Sequence, residues 1–276
     1  MASTPSDPSR SERAARRAHR RRVRAAVATG IVAVLVVAGV VGWALLRDDA
    51  KAVPKWRVAA PTTTTPATTA PKPQPAVTAT QKVPQLTAYQ DAVETSPAVT
   101  KLSDKTEYNI PRTYLVTDQT SHPGWLDVLL PIRPNGASGW IKASDVTLGS
   151  TDYEIRIEVG AHKLTLLKLG QPILDSGVVV GADNTPTPPG RFYVTDPLDL
   201  HTQPNAGYGV FALGISGYSD VLTSFKGGPG QLAVHGTNNP GQVGQNISNG
   251  CVRVPNDIIE QIAAQAPLGT PVTIVA

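Results

Sequence analysis

Apolar and polar residues alternate through the C-terminal half of the chain with the two-residue period of half-buried strands. Tyr153–Val159 (YEIRIEV) and Lys163–Leu169 (KLTLLKL) sit a short turn apart and predict a hairpin. Further strands are expected at Ile173–Val180, Arg191–Asp196, Val210–Ile215, Gln231–His235 and Pro271–Val275. A helical period appears late: Ile258, Ile259, Ile262 and Ala263 fall on one face, with Asn256 placed to cap it and Pro267 to end it. The C-terminal part, residues 151–276, therefore reads as a mainly β, sandwich-like domain with one short helix.

A shorter pattern precedes it over residues 85–150. Trp125–Leu130 is strand-like, Pro134-Asn135-Gly136 is a turn, and Gly139-Trp140-Ile141 begins another strand. With Asp145-Val146 following, Trp125–Val146 resembles the bacterial SH3-like small β-barrel. Core packing and an exposed ligand-binding face are both open to Trp125 and Trp140.

The N-terminal third has a different character. From Ala25 to Leu46 the chain carries no charged residue and is built of Val, Ala, Ile, Leu and Gly. As a helix these residues 25–46 would span about 33 Å, enough for a hydrocarbon core. Residues 47–84 form a linker, of which Ala59–Val83 is Thr, Pro and Ala with little else. Such a tract cannot bury enough apolar surface to fold, and extended it reaches about 75 Å.

Charge sharpens this picture. The formal net charge is +4, but residues 1–24 hold eight arginines against Asp7 and Glu12. The remaining 17 basic and 19 acidic residues leave everything after Arg24 at −2. The basic character is thus a topology signal, and no nucleic-acid partner is expected. Tail 1–24 is expected in the cytoplasm, with a single-pass anchor in the cell membrane and the folded part outside at the cell wall. Ala50-Lys51-Ala52 offers a competing cleavage site, for which the span is long.

The candidate chemistry lies in Gln231–Val254. Cys251 is the only cysteine, so it has no intramolecular disulfide partner and is either an apolar filler or a reactive group. Gly250 before it allows a tight turn, and Ser248 and Asn249 argue against a deep apolar setting. His235 lies at a strand end upstream, where a returning loop can bring it to the sulfur. An imidazole beside a thiol stabilises the thiolate, and such a pair suits acyl transfer with backbone amides holding the oxyanion. A metal site fits worse, because His122, His162 and His201 stand in unrelated contexts and His19 is in the basic tail.

His235-Gly236-Thr237-Asn238 followed by Ser248-Asn249-Gly250-Cys251-Val252-Arg253 resembles the signature of the L,D-transpeptidase (YkuD-type) catalytic domain. GADNTPTPPGRFYV and YGVFALGISGYSD, upstream, resemble segments of the same family, the latter in members from high-GC Gram-positive bacteria. The resemblance covers about Asp152–Ala276. It implies that Cys251 is the nucleophile and His235 the general acid/base, without cofactor or metal. Gly250, Cys251 and Asn249 would supply oxyanion-binding amides. Ser248, Arg253, Gly236, Thr237 and Asn238 would bind substrate, with Arg253 pairing a carboxylate of the substrate or of the protein. Many members have His where this chain has Asn249. The implied partners are peptidoglycan stem peptides, cross-linked 3→3 through a thioester, with carbapenem-type β-lactams as covalent inhibitors. An L,D-carboxypeptidase using water as acceptor and a non-catalytic wall-binding protein remain alternatives.

Overall fold

The structure, a computed structural model, describes residues 73–202 and 207–276. The basic tail, the apolar span 25–46 and linker residues 47–72 lie outside the described residues. Among the described residues no helix is long and apolar enough to cross a membrane.

The first seven strands are β1 (Ala76–Gln81), β2 (Gln85–Tyr89), β3 (Ala98–Ser103), β4 (Thr113–Asp118), β5 (Trp125–Leu129), β6 (Ser138–Lys142) and β7 (Val146–Thr151). They pair antiparallel in one sheet of order β3-β2-β6-β5-β4-β1-β7. Its core gathers Leu86, Tyr114, Leu115, Leu126, Val128 and Ile141. The linker assigned to 47–84 is corrected here, because β1 occupies its last part and pairs with both β4 and β7. Only Ala79 of β1 is a fully buried apolar residue, so the strand is held by its neighbours' pairing rather than by a hydrophobic pattern of its own.

Alternation decides the fate of the two tryptophans. Leu126, Val128 and Ile141 take the core side of β5 and β6. Trp125 and Trp140 are left half-buried on the other face, edge-on to Tyr89 and His122 at 5.7 and 4.6 Å between ring centroids. Neither stands in the core.

The C-terminal strands are β8 (Tyr153–Glu158), β9 (Lys163–Lys168), β10 (Gln171–Gly177), β11 (Val180–Gly181), β12 (Gly190–Asp199), β13 (Phe211–Tyr218), β14 (Gln231–Thr237), β15 (Asn246–Ser248), β16 (Val252–Pro255) and β17 (Pro271–Val275). Helix α1 (Asn256–Ala263) lies between the last two. Eight strands form a mixed sheet of order β10-β9-β8-β17-β12-β13-β14-β16, and β11 pairs β15 separately. Strand β12 joins the two halves. Its residues 190–193 pair with β17 and 194–199 with β13, with a register shift between Val194 and Asp196. A strand that changes partners at a bulge turns a corner, and residues of both halves, Ile155 and Leu164 with Leu213 and Val234, share one core. The same strand ties the two cores together: Phe192 and Val194 enter the C-terminal core, whereas Tyr193 is buried in the N-terminal one.

Helix α1 buries Ile259 and Ile262 against β13, β14 and β16. The expected cap is not made. Pro255 holds the N-cap position, and Asn256 begins the helix. The Asn256 side chain is used elsewhere, accepting from the Val210 amide at 3.3 Å and donating to Asn238 Oδ1 at 3.1 Å.

Candidate active site

Strand register brings the cysteine and histidine together. Strands β14 and β16 run parallel with Val234 opposite Val252 and His235 opposite Arg253. Paired residues point to the same face. Val234, Val252 and Val254 face the core, so His235 and Arg253 face the other side. Cys251, one residue ahead of β16, falls beside Ala233 on that side, two residues or about 6.6 Å along β14 from His235. The Ala233 amide donates to the thiol, which fixes the sulfur against β14.

His235 is 2% exposed, and its Nδ1 lies 2.8 Å from the Gly236 carbonyl oxygen. A carbonyl only accepts, so this contact is a hydrogen bond in the tautomer that carries its proton on Nδ1. Burial lowers the imidazole to a pKa of about 4, with Arg253 and Lys226 adding to the effect and the Gly236 and Tyr208 backbone opposing it. Burial raises the Cys251 thiol, while the Ala233 amide, Arg253 and Lys226 pull it back. Both shifts favour neutral forms. Desolvation exceeds the effect of the nearby cations in both.

The loop carrying the cysteine is braced by hydroxyls. Thr185 Oγ1 donates to the Ser248 carbonyl at 2.8 Å, and Thr187 Oγ1 donates to the Gly250 carbonyl at 2.9 Å while accepting from the Gly181 amide. Ser248 Oγ donates to the Cys251 carbonyl at 2.6 Å and accepts from the Gly250 amide at 3.1 Å. Ser248, expected to bind substrate, is 1% exposed and committed inside this brace. The Gly250 amide, expected to bind an oxyanion, is committed to Ser248. Gly250 has φ +107, a backbone that side chains rarely adopt, and a Cβ there would lie 3.1 Å from Leu232 Cδ2. Its role is the turn.

The remaining expected contacts divide in the same way. Gly236 is buried, its carbonyl holding His235. Thr237 is buried and its hydroxyl accepts from the Asn239 amide at 3.1 Å. Neither is placed to touch a ligand. Asn238 and Asn249 are exposed. Arg253 has a buried Nε without a hydrogen-bond partner.

Two residues not singled out in the sequence complete the site. Tyr208 stands edge-on to His235 at 4.9 Å between ring centroids, and Lys226 Nζ lies 5.0 Å over the Tyr208 ring. Lys226 (φ 48) and Gly227 (φ 85) form the tip of a two-residue turn closed by reciprocal Phe225–Gly228 backbone bonds. Loop β5–β6 holds this segment. Arg133 donates to the carbonyls of Ser219, Leu222 and Pro229, and Asn135 exchanges hydrogen bonds with the Tyr218 backbone. The Pro134-Asn135-Gly136 turn is thus a clamp as well as a turn. His201 is exposed, bridging Asp199 and Glu260. Among the described residues no group of three or more His, Cys, Asp or Glu is set to hold a metal ion.

His235 and Cys251 thus stand on one face of the sheet, a residue pair whose chemistry can serve acyl transfer. Residues 152–274 match the sequence profile of YkuD, the L,D-transpeptidase catalytic domain. The YkuD protein of Bacillus subtilis (strain 168), provisionally named an L,D-transpeptidase, is 31% identical over 122 residues, which cover 44% of this chain and 65% of that protein. Its Bacillus licheniformis (strain ATCC 14580) counterpart, named in the same way, is 29% identical over 124 residues with the same coverage. An L,D-transpeptidase structure from Mycobacterium tuberculosis H37Rv gives a TM-score of 0.40 at 14% identity, over 60% of this chain and 91% of that one. The chain spans about 65% of the length of the curated relatives it matches. The profile and the relatives support an L,D-transpeptidase catalytic domain over residues 152–274.

Proposed function

We propose that this protein is a peptidoglycan L,D-transpeptidase that forms 3→3 cross-links. Cys251 attacks the carbonyl carbon of the third residue of a tetrapeptide donor stem, and His235 Nε2 takes the thiol proton in the same step. The terminal D-alanine leaves with that proton, and an acceptor amine then resolves the thioester, returning the thiol. The observation carrying this reading is the Nδ1 bond from His235 to the Gly236 carbonyl, which leaves Nε2 as a base on the face shared with Cys251. With the Gly250 amide committed, the amides of Asn249 and Cys251 are the proposed oxyanion donors. Arg253 is the proposed anchor for a substrate carboxylate.

Placement outside the membrane, through a retained span at 25–46, belongs to the same proposal. So do the reading of the N-terminal sheet as a small SH3-like barrel and the acylation of Cys251 by carbapenem-type β-lactams. The purified full-length chain is expected to convert stem tetrapeptides into 3→3 dimers, and Cys251→Ala to abolish both turnover and carbapenem adducts in mass spectra without loss of fold. Tripeptide release with no dimer would make the protein an L,D-carboxypeptidase, and undiminished activity of the variant would refute the mechanism.

A further inference from the structure

Positive charge reaches the thiol from two side chains. Arg253 stands on β16, two residues from Cys251, whereas Lys226 comes from residues 219–230 between β13 and β14. Both pull the thiol down against its burial, and both also lower the His235 imidazole. Cations so placed keep the base free of a proton and favour negative charge on sulfur. Lys226 is exposed, and the ion pairs among the described residues leave it out. Its ammonium rests on aromatic rings instead, 5.0 Å from the Tyr208 centroid and 5.6 Å from that of Phe225. Tyr208 in turn stands edge-on to His235.

Those contacts alone would not hold the charge in place. A cation–π contact at an exposed site is weak, and a lysine side chain has many rotamers to lose. The segment is fixed at its base, from the β5–β6 loop of the N-terminal sheet. Arg133 donates through Nη1 to the Ser219 carbonyl at 2.7 Å, and through Nη2 to the Leu222 and Pro229 carbonyls at 3.1 and 2.8 Å. One guanidinium thus ties the two arms of the segment together. Asn135 grips the end of β13, donating to the Tyr218 carbonyl at 2.7 Å and accepting from its amide at 2.9 Å. The Tyr218 hydroxyl answers by donating to the Pro131 carbonyl at 2.9 Å. Gly230 permits the convergence: its φ is +74, and a Cβ there would collide with the Leu222 carbonyl oxygen. Only residues 223–228 project beyond the clamped points, and the Phe225–Gly228 turn stiffens them. Charge-assisted bonds from a planar fork are stronger and more directional than the contact at the tip, so the clamp decides where the ammonium stands.

We propose that Arg133 and Asn135 are positioning residues for the acyl-transfer site: through residues 219–230 they hold Lys226 at the Cys251–His235 pair, so that a loop of the N-terminal sheet sets the reactivity of the thiol. This role rests on the transpeptidase reading only for Cys251 as the nucleophile. Arg253, carried by β16 itself, is the charge that the clamp does not control.

Cys251 is the only cysteine of the chain, so alkylation by iodoacetamide reads this thiol alone. Rates are measured by mass spectrometry on the full-length protein in nonionic detergent, from about pH 6 to 10. His235, lowered to about 4, does not titrate in that window. Lys226→Met moves the rate profile to higher pH and slows alkylation at neutral pH about threefold. Arg133→Lys keeps a charge but cannot fork to three carbonyls; it moves the profile in the same direction and adds nothing in the Lys226→Met background. Asn135→Ala does the same to a smaller extent, and serves in its place should Arg133→Lys fail to fold. A wild-type profile in Lys226→Met overturns the proposal. So does a clamp variant that loses thermal stability yet keeps the wild-type profile, or one whose shift adds in full to that of Lys226→Met. Turnover of stem tetrapeptides is followed alongside: the expected shifts without any peptide product would overturn the transpeptidase reading and leave the clamp standing.

Discussion

The burial of His235 makes acid stability a direct reading of the site. Its folded pKa of about 4 lies below the ordinary histidine value of 6.5, so between these values the unfolded chain binds a proton that the folded chain refuses. Stability contributed by the neutral ring is complete above pH 6.5 and is lost as pH falls towards 4. About 2.5 pKa units at about 1.4 kcal/mol each correspond to roughly 3 kcal/mol, most of it gone by pH 4. His201, with a pKa raised by Asp199 and Glu260, has the opposite sign, its contribution being lost as pH rises, and cannot mimic this loss. The carboxylates lowered by hydrogen bonds, Asp118, Asp175 and Asp199, lose their contribution only below their ordinary value near 3.8. Urea unfolding at pH 7, 6, 5 and 4 measures the effect. With an m of about 2 kcal/mol/M the wild-type midpoint falls by roughly 1.5 M. His235→Asn, which keeps an N–H for the Gly236 carbonyl and cannot titrate, removes that slope. A variant that loses as much stability between pH 7 and 4 as the wild type would refute the argument.

Two further predictions concern the braced loop. Thr187→Val leaves the buried Gly181 amide and Gly250 carbonyl without their hydroxyl partner, costing about 1–3 kcal/mol; calorimetry should find Tm lowered by several degrees, and an unchanged Tm would remove the brace from the account. Gly250→Ala forces φ +107 on a residue with a Cβ and presses on Leu232, costing roughly 1–3 kcal/mol; carbapenem adduct formation followed by mass spectrometry should slow at least tenfold, and an unaltered rate would mean that the turn does not position the thiol.

How much of this was legible in the sequence depended on what carries each feature. Alternation reveals strands that bury one face on a shared core, which is why Tyr153–Glu158, Lys163–Lys168 and Pro271–Val275 stand close to where the pattern puts them. Strand β1 escaped because its Thr and Ala residues continue the linker's composition and only its pairing makes it a strand. Cys251 and His235 were legible as an isolated thiol and a histidine at a strand end, reinforced by the motif around them. Their environment was not, since desolvation depends on what packs around the site. Ser248, Gly236 and Thr237 stand within the motif yet serve the loop and the imidazole rather than a ligand. Lys226 gave no signal beyond a Lys-Gly turn.

The same parity joins the fold to the chemistry. Val234, Val252 and Val254 turn one face of β14 and β16 into the core, and that anchoring turns Ala233, His235, Cys251 and Arg253 to the other. A slip of one residue between sheet and core would turn the thiol into the apolar core and the valines out of it, so the apolar residues enforce the catalytic register as firmly as they stabilise the domain. The same constraint runs across β13 and β12, where Gly214 pairs with Ala233 and with Asp196 while Val194, Leu213 and Ile215 hold the opposite face. Large residues at 214 or 233 would satisfy the core equally well, since neither side chain enters it. Their smallness is therefore a property of the outer face alone, where glycine at 214 leaves room for Asp196 and alanine at 233 keeps the floor low beside the thiol.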